Sequence, residues 1–461
     1  MGGVALAQTT GSIIQDDPPY PSQYWILGSL QKDPADMACP EPTGYQIVFY
    51  STSGDPLQGY ATAYADANGK FYINCFDDLR LNLAPGTNNF YIGVVKKDDY
   101  GVNEQQISIP DVGWTSVTLT LKKGEGIDPL TEEDGQIINT HISRETDVKG
   151  SGLVITWEIG PNGDAAGVAA VNIWGSPPGS GKDYDKAVAW SKVNPAPISG
   201  SPGSFKVTSI TVRDGNNVFF RVVSAETSAA DIHNETLNNY AVGKVEVPLF
   251  KSATGLKYTR FSAPLLQRSS KWEDVIGDQL TPDTTPAEAD QILRWTGTGW
   301  GSLYYQSAAA GYAVNSGAAF DFVFGEGYAL RVPDRSGQAN DVVSVVGRVK
   351  KDTFRIADTF KNLALTKYAI FAHPFPVTLA LDNAGFRESG AYKSDTPASA
   401  DQILKWDGTG WVSMYLSNAS AKPYWKPLGA SSFQLVPAIG YTYRKGDGNT
   451  DTDGYNWTLS P

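Results

Sequence analysis

Apolar and polar residues alternate along most of this chain, and a period of two leaves little room for any architecture other than β-sheet. Residues 45–50, 116–121, 153–157 and 218–223 show the pattern most clearly. Side chains of a strand point alternately to opposite faces, so each run predicts a half-buried strand. The runs are rich in β-branched and aromatic residues and end near Gly, Asn, Asp or Pro. No amphipathic pattern of ten or more residues suggests a helix, and the sequence therefore predicts an all-β protein.

A second constraint is an internal repeat. Residues 285–305 recur as residues 396–416, 111 positions later, with 15 of 21 residues identical. The flanks agree as well, because residues 257–264 match residues 367–374. Five later positions also carry the same residue in both copies. They are 320, 323, 327, 328 and 331 in the first copy and, in the same order, 433, 436, 440, 441 and 444 in the second. The C-terminal half is therefore predicted to be a duplicated β-unit.

Each copy of the repeat predicts one hairpin with a tryptophan pair across its turn. Trp295 and Trp300 bracket the Gly-Thr-Gly turn of the first copy, and Trp406 and Trp411 bracket that of the second. Aromatic pairs across neighbouring strands stabilise a hairpin by about 0.2–1 kcal/mol. Exposed, these rings are candidates for stacking on sugars or for anchoring a protein interface. For at least one tryptophan of each pair, however, we expect packing into a sandwich core.

The chain of 461 residues is too long for one hydrophobic core. We predict tandem β-sandwich domains of immunoglobulin-like or transthyretin-like type, followed by the duplicated C-terminal β-unit. The predicted segments are a leader remnant and N-terminal extension at 1–19, β-sandwiches at 20–126 and 127–250, and β-repeats at 251–350 and 351–461.

The first predicted sandwich carries a recognisable pattern. Residues 54–60 read Gly-Asp-Pro-Leu-Gln-Gly-Tyr, and residues 65–71 read Ala-Asp-Ala-Asn-Gly-Lys-Phe. This pattern resembles the transthyretin-like regulatory domain found beside carboxypeptidases and in many secreted bacterial proteins. The resemblance implies a small β-sandwich without a catalytic residue. We expect Asp66, Asn68 and Gly69 to lie in a hairpin turn, in which Asn-Gly supplies a positive φ.

Two weaker resemblances concern the rest of the chain. The strand-like runs of the segment 127–250 are residues 154–157, 171–174, 217–223 and a final strand at 242–248. In the spacing of these runs the segment resembles a fibronectin type III module. That resemblance implies a spacer or binding module. The Gly-Tyr element near the end of each repeat resembles a strand of repeated domains in large secreted bacterial surface proteins, which implies export and a modular design.

The N-terminus also favours export. Ala5-Leu6-Ala7 before Gln8 looks like the end of a secretory signal peptide, so we expect a protein of the extracellular cell surface. Cys39 and Cys75 are then candidates for one disulfide, and two buried thiols are the alternative. No histidine lies near them, which argues against a metal site.

Charge and hydropathy exclude two classes of partner. Lys and Arg number 37 and Asp and Glu number 49, which gives a net charge of −12. Such an acidic chain argues against nucleic-acid binding, which needs a basic face. No run of 18 apolar residues predicts a transmembrane helix.

The search for chemistry yields one weak candidate. No catalytic motif stands out, and we predict that the protein is not an enzyme and needs no cofactor. Residues 447–454 place oxygen ligands at alternate positions before a glycine, as in the first half of a Ca²⁺ loop, but the closing Glu is absent. A solvated acidic turn is the alternative. The candidate ligands are Asp447, Asn449, Asp451 and Asp453.

These features favour a structural protein, a subunit of a filament, sheath or surface layer that associates with itself. The segment from Ala7 to Ile14 could add as a strand to a neighbour's sheet, with Ala7, Thr9, Ile13 and Ile14 as candidate donor residues. The alternative is a secreted adhesin that binds polysaccharide through exposed Trp and Tyr. A secreted enzyme is a third hypothesis without a visible catalytic pair.

Overall fold

Nearly all regular structure in the computed structural model is β-strand. The residues it describes are 24–50, 61–65, 68–74, 90–107, 113–127, 135–177, 184, 188–233, 240–249, 257–333, 341–350, 354–356, 368–387, 389–407, 410–419, 423–449 and 457–459. In this part of the chain the only α-helices are α1, Pro161–Ala165, and α2, Trp272–Val275. The all-β prediction is confirmed. No helix within the same ranges is long and apolar enough to span a membrane.

The N-terminal segment forms two sheets that enclose one core. The strand order is β4-β1-β7 in one sheet and β3-β2-β5-β6-β8 in the other. Ile26, Ile47, Phe71, Ile92 and Leu119 are fully or almost fully buried between them, as in a β-sandwich. The strands are β1 Tyr24–Gln31, β2 Gln46–Tyr50, β3 Ala61–Tyr64, β4 Lys70–Asn74, β5 Phe90–Lys97, β6 Tyr100–Ile107, β7 Gly113–Thr120 and β8 Lys122–Lys123.

The Asn-Gly turn of this segment does not form the expected hairpin. Gly69 has the predicted positive φ, 74°. However, β3 pairs with β2 and β4 pairs with β1, so the turn carries the chain from one sheet to the other. Gly69 instead lies against β1: the Leu30 amide donates to the Gly69 carbonyl at 2.7 Å, and a Cβ at Gly69 would collide with the Leu30 carbonyl oxygen.

The second segment is also built from two sheets around a core. The first has the order β14-β10-β9, and the second begins β12-β11-β15-β16. Ile155, Trp157, Ile173, Phe220 and Val222 are buried in this core. The strands are β9 Ile137–Arg144, β10 Leu153–Ile159, β11 Ala170–Gly175, β12 Ser191–Lys192, β13 Ile198–Ser199, β14 Gly203–Val207, β15 Val218–Ser224 and β16 Val242–Leu249. Strands therefore lie where the sequence predicted them, and the fibronectin type III assignment stays a prediction.

The two repeat copies have the same sheet topology, which confirms the duplicated β-unit. The order is β17-β21-β18-β19-β20 in the first copy and β24-β28-β25-β26-β27 in the second. The first-copy strands are β17 Lys257–Phe261, β18 Gln291–Trp295, β19 Trp300–Ser307, β20 Gly311–Ser316, β21 Tyr328–Val332 and β22 Asp341–Arg348. The second-copy strands are β23 Phe354–Ile356, β24 Tyr368–Ala372, β25 Gln402–Trp406, β26 Trp411–Ser417, β27 Tyr424–Pro427, β28 Gly440–Arg444 and β29 Trp457–Leu459, and β23 pairs with β29.

One strand leaves its copy and extends the preceding sandwich. β22 pairs antiparallel with β16 over eight registered positions, from Val242 opposite Arg348 to Leu249 opposite Asp341. The sheet that begins at β12 therefore contains strands from both sides of the predicted boundary at residue 250. A segment boundary at that position is a prediction from sequence, and the two segments on either side share a sheet.

A buried ion cluster reinforces this shared sheet. The Lys244 side chain on β16 is fully buried, and its Nζ lies 2.6 Å from Asp214 Oδ1 and 2.7 Å from Glu246 Oε1. Glu246 Oε1 in turn accepts a 2.7 Å hydrogen bond from Ser344 Oγ on β22. A buried charge needs such partners because its desolvation is costly. The cluster therefore links β16 of the second segment to β22 of the first repeat.

Polar contacts from the helix side complete the connection. Arg144 at the end of β9 donates to the carbonyl oxygens of Val275 at 3.1 Å and Ser344 at 3.2 Å. The Gln279 side chain donates to the Ser344 carbonyl and accepts from the Ser344 amide, both at 2.8 Å. Arg144 thus joins the second segment to the first repeat, and Gln279 fixes β22 to the rest of its own repeat.

The two copies also contact each other through equivalent residues. The Ser262 amide donates to the Ala438 carbonyl at 3.1 Å, and the Ala372 amide donates to the Gly325 carbonyl at 3.0 Å. In the repeat alignment Ser262 corresponds to Ala372, and Gly325 corresponds to Ala438. Each copy therefore uses the same two positions against the other, as in an interface with two-fold symmetry.

Glycines permit this contact to be close. A Cβ at Gly327 would lie 2.6 Å from the Phe371 carbonyl oxygen, and a Cβ at the equivalent Gly440 would lie 3.0 Å from the Phe261 carbonyl oxygen. The atoms in the way belong to the backbone, which yields less easily than the end of a side chain. The repeat contact thus requires glycine at both positions.

Replacing Lys244 by Met tests the buried ion cluster. We expect Lys244→Met to destabilise the protein by about 3–5 kcal/mol, because Glu246 would keep a buried charge without its cation. The matched control is Lys271→Met, since Lys271 and Asp321 form an ion pair that is largely exposed. That control should cost far less, because an exposed ion pair contributes little to stability. Urea denaturation measures both, and equal losses would contradict a special role for the cluster.

Replacing Gly327 by Ala tests the close contact between the copies. Gly327→Ala should lower stability by about 1–3 kcal/mol, because the new methyl group displaces the Phe371 backbone. Gly429→Ala is the control, because nothing lies within 4 Å of a Cβ at Gly429. Thermal unfolding of the two variants should differ clearly, and a Gly327→Ala variant as stable as the control would show that the copies do not pack this closely.

Candidate functional site

The four tryptophans of the repeat lie at the turn ends of two hairpins. Trp295 pairs in register with Trp300, and Trp406 pairs with Trp411. The ring centroids are 5.3 Å apart in the first pair and 5.4 Å apart in the second, with interplanar angles of 60° and 66°. None of the four belongs to a buried cluster: Trp411 is 45% exposed and the others are half-buried. The expectation that one tryptophan of each pair is core is therefore wrong.

Tight turns hold each tryptophan pair in this position. In the first copy the Thr296 amide donates to the Gly299 carbonyl at 2.9 Å, and the Thr296 hydroxyl donates to the same oxygen at 2.9 Å. In the second copy the Asp407 amide donates to the Gly410 carbonyl at 3.1 Å. Because the two tryptophans of each pair lie directly opposite each other in the strand register, their rings lie on one face of the hairpin.

Arg260 on β17 joins the tryptophans of the two copies. Its guanidinium carbon lies 4.4 Å from the ring centroid of Trp300 in the same copy and 5.6 Å from that of Trp411 in the other copy. Cations are attracted to the electron-rich faces of aromatic rings. A further link is the Trp295 indole N–H, which donates to the Tyr368 carbonyl at 3.2 Å. Both tryptophan pairs therefore meet at the contact between the copies.

The Arg260 charge is poorly compensated by the described residues. Its Nη1 is buried and has no hydrogen-bond partner among them. Burial lowers the pKa of Arg260 to about 10, and the guanidinium is still charged at neutral pH. Arg294 of the same sheet, by contrast, forms a 2.6 Å ion pair with Glu326. Arg260 is thus held mainly by aromatic rings.

Tyrosines extend the exposed aromatic area. Tyr258, two residues before Arg260 on the same strand, is 42% exposed, and its repeat equivalent Tyr368 is 41% exposed. We use the name aromatic surface for the set of Tyr258, Arg260, Trp295, Trp300, Tyr368, Trp406 and Trp411.

The strands of the two repeat sheets contain cations and no acidic residue, although carboxylates just outside the strands pair with two of these cations, Arg294 and Arg444. Neither five-stranded repeat sheet contains an Asp or Glu in any of its strands. The same strands contain seven cationic residues, in a chain whose net charge is −12. The seven are Lys257, Arg260, Arg294, Arg331, Lys405, Lys426 and Arg444.

Sequence reasoning found the tryptophans and missed Arg260, Tyr258 and Tyr368. A signal was present in the aligned segments 257–264 and 367–374, in which Arg260 is aligned with Ile370. A charge at a position that is apolar in the other copy marks a local difference between two otherwise similar units. The convergence of both copies on this residue depends on their three-dimensional arrangement, which the repeat alone does not reveal.

The candidate Ca²⁺ ligands are only partly described. The Asn449 side-chain amide donates to Asp401 Oδ2 at 3.1 Å, and Asp447 Oδ2 lies 3.8 Å from Arg444 Nη2. Asp401 is buried, and burial raises the pKa of its carboxyl. Among the described residues no group of three or more His, Cys, Asp or Glu could hold a metal. Asp451 and Asp453 lie outside these residues, and the calcium site stays a prediction.

Two other predicted sites remain open. Cys39 is buried, with its Sγ 3.8 Å from the Pro40 carbonyl. Cys75 lies outside the described residues, so the disulfide stays a prediction. The candidate strand-donor residues Ala7, Thr9, Ile13 and Ile14 also lie outside them.

A buried histidine in the second repeat predicts that stability depends on pH. His373 is completely buried, its ring Nε2 donates to the Val377 carbonyl, and burial lowers its pKa to about 4. In the unfolded chain a histidine has a pKa of about 6.5. Below that pH the unfolded state binds a proton that the folded state refuses, so acid favours unfolding.

We predict that stability falls as the pH drops from about 6.5 to about 4, by up to about 3 kcal/mol from His373 alone. His373→Gln should reduce this part of the fall, because glutamine does not titrate. His141→Gln is the control, since His141 lies on β9 and is partly exposed. Unfolding midpoints measured across this pH range test the effect, and identical profiles for both variants and the unsubstituted protein would refute it.

Comparisons with known proteins give no family. No family model matches the chain, and no curated protein matches it. Among solved structures, a DUF3823 family protein from Parabacteroides merdae matches at 14% identity and a TM-score of 0.15, covering 49% of this chain and 89% of its own. A DUF3823 family protein from Bacteroides ovatus matches at 13% identity and a TM-score of 0.16, covering 44% and 93%.

A third similar structure is a tetra-tandem repeat from the extending region of a large adhesion protein. It matches at 12% identity and a TM-score of 0.11, covering 95% of this chain and 98% of its own. At these scores none of the three structures adds to what the strands and sheets of this chain show.

Proposed function

We propose that the protein is a non-enzymatic structural protein of the extracellular cell surface, a subunit that joins others of its kind into an assembly. The observation that carries the proposal is the sheet shared by β16 and β22. Domains in one chain usually move relative to each other unless their interface is extensive. Here eight registered backbone pairs, a buried ion cluster and the repeat contact join successive β-units, as suits a part that transmits load.

One sheet edge is suited to accept a strand from a neighbouring subunit. β20 is the outermost strand of its sheet, with the sequence Gly-Tyr-Ala-Val-Asn-Ser, and Val314 on it is 46% exposed. The equivalent edge strand β27 carries Lys426 and Pro427, two residues that protect edges from further pairing. The duplication therefore provides one edge strand that carries neither Lys nor Pro and an equivalent one that carries both.

The outward direction of the β20 backbone can be read from one contact. The Tyr312 amide donates to Glu273 Oε1 at 3.3 Å and so points away from β19. Because backbone groups alternate along a strand, the Val314 amide points the same way. It is the donor that an added strand would use. The proposed donor is the segment from Ala7 to Ile14 of another copy, which ends in two β-branched residues.

Negative-stain electron microscopy at increasing protein concentration tests the assembly. We expect regular filaments or sheets, and their loss when residues 1–16 are deleted. Val314→Pro should have the same effect, because proline removes the outward N–H while the β19 ladder uses the neighbouring residues. Val314→Thr is the matched control and should assemble normally. Dispersed particles of the full chain at every concentration would refute the proposal.

A second candidate function, a secreted adhesin that binds polysaccharide, is favoured by the aromatic surface. Large aromatic faces that are about 40–45% exposed at Tyr258, Tyr368 and Trp411 are available to a flat ligand. This function is compatible with a structural role, because a subunit can both assemble and bind.

A further inference from the structure

We propose that the aromatic surface binds an acidic polysaccharide, in which a uronic acid carboxylate pairs with Arg260 and neighbouring sugar rings stack on Tyr258, Tyr368 and Trp411. The proposal rests on the second candidate function, polysaccharide binding, and does not depend on subunit assembly.

The exposed rings supply the apolar part of the site. A pyranose ring has one face of C–H groups, and such a face stacks well on an indole or phenol ring, which combines a large apolar area with little flexibility. Tyr258 and Tyr368 occupy equivalent positions in the two copies, and Trp411 shares Arg260 with Trp300. Several rings around one cation fit an extended chain of sugars better than a single small molecule.

Charge complementarity selects an acidic polymer over a neutral one. The repeat strands contain seven cations and no carboxylate, while the whole chain carries a net charge of −12. Of the seven, Arg294 is paired with Glu326 and Arg444 lies 3.8 Å from Asp447. Arg260 has no carboxylate partner among the described residues, so its charge is free to attract an anionic ligand. Arginine in addition offers a planar fork that matches the two oxygens of a carboxylate.

Packing between the copies does not by itself require the Arg260 charge. The equivalent position in the second copy is Ile370, which fills its place with an apolar side chain. A branched alkyl group is therefore sufficient on one side of a nearly symmetric contact. On the other side the chain holds a partly desolvated guanidinium, with its Nη1 buried and without a hydrogen-bond partner among the described residues. An incoming carboxylate would compensate that charge.

The test is a binding titration of the full chain with polygalacturonate, with a neutral galactan as the comparison polymer. We expect binding to polygalacturonate that weakens with added salt and is at least about tenfold tighter than binding to galactan. Arg260→Ile, which installs the residue of the second copy, should abolish this preference. Trp411→Ala should weaken binding to polygalacturonate by about tenfold.

Two controls separate binding from folding. Tyr392→Ala removes an aromatic side chain that is 41% exposed and lies outside the aromatic surface, and it should leave binding unchanged. Arg260→Lys keeps the charge without the planar fork and should bind more weakly than the unsubstituted protein but more tightly than Arg260→Ile. Thermal unfolding of every variant verifies that it is folded.

Three results would overturn the proposal: no binding of polygalacturonate by the unsubstituted protein, equal or tighter binding of galactan, or unchanged binding by folded Arg260→Ile. Electron microscopy of the same samples keeps the structural proposal separate, because assembly does not require the aromatic surface. Filaments without polysaccharide binding would refute this inference alone.

Discussion

Close backbone contact at two equivalent glycines is the constraint on which the C-terminal half of the molecule depends. Gly327 and Gly440 leave room for the carbonyl oxygens of Phe371 and Phe261, and equivalent amide hydrogen bonds cross between the copies. This close contact between the copies brings Trp411 of one copy next to Arg260 of the other. The aromatic surface is therefore a product of the duplication, and neither copy could form it alone.

The shared sheet extends this order toward the N-terminus. Because β22 pairs with β16, the first repeat is part of the preceding sandwich as well as a partner of the second repeat. The side chains of Lys244 and Glu246 form a buried ion pair beside this shared sheet. Loss of either partner would leave the other charge buried and uncompensated. A chain built in this way suits a structural role better than a set of domains on flexible linkers.

The sequence predicts the fold class well because alternation is a local signal. Strands formed at the expected places, the tryptophan hairpins are in the predicted register, and the repeat has one topology. Contacts distant in sequence were not predictable in the same way. The Asn-Gly turn at Gly69 was expected to join paired strands, but its strands belong to different sheets. Nothing local signals that β22 leaves its copy or that Arg260 meets tryptophans of both repeats.

Amide hydrogen exchange at Ser262 and Ala372 tests the central claim, the paired contact of the two copies, most directly. Both amides donate across the contact, to Ala438 and Gly325. The account predicts strong and similar protection at the two positions, lost together when the contact opens. Rapid exchange at either amide in the native protein, or protection of one without the other, would contradict it.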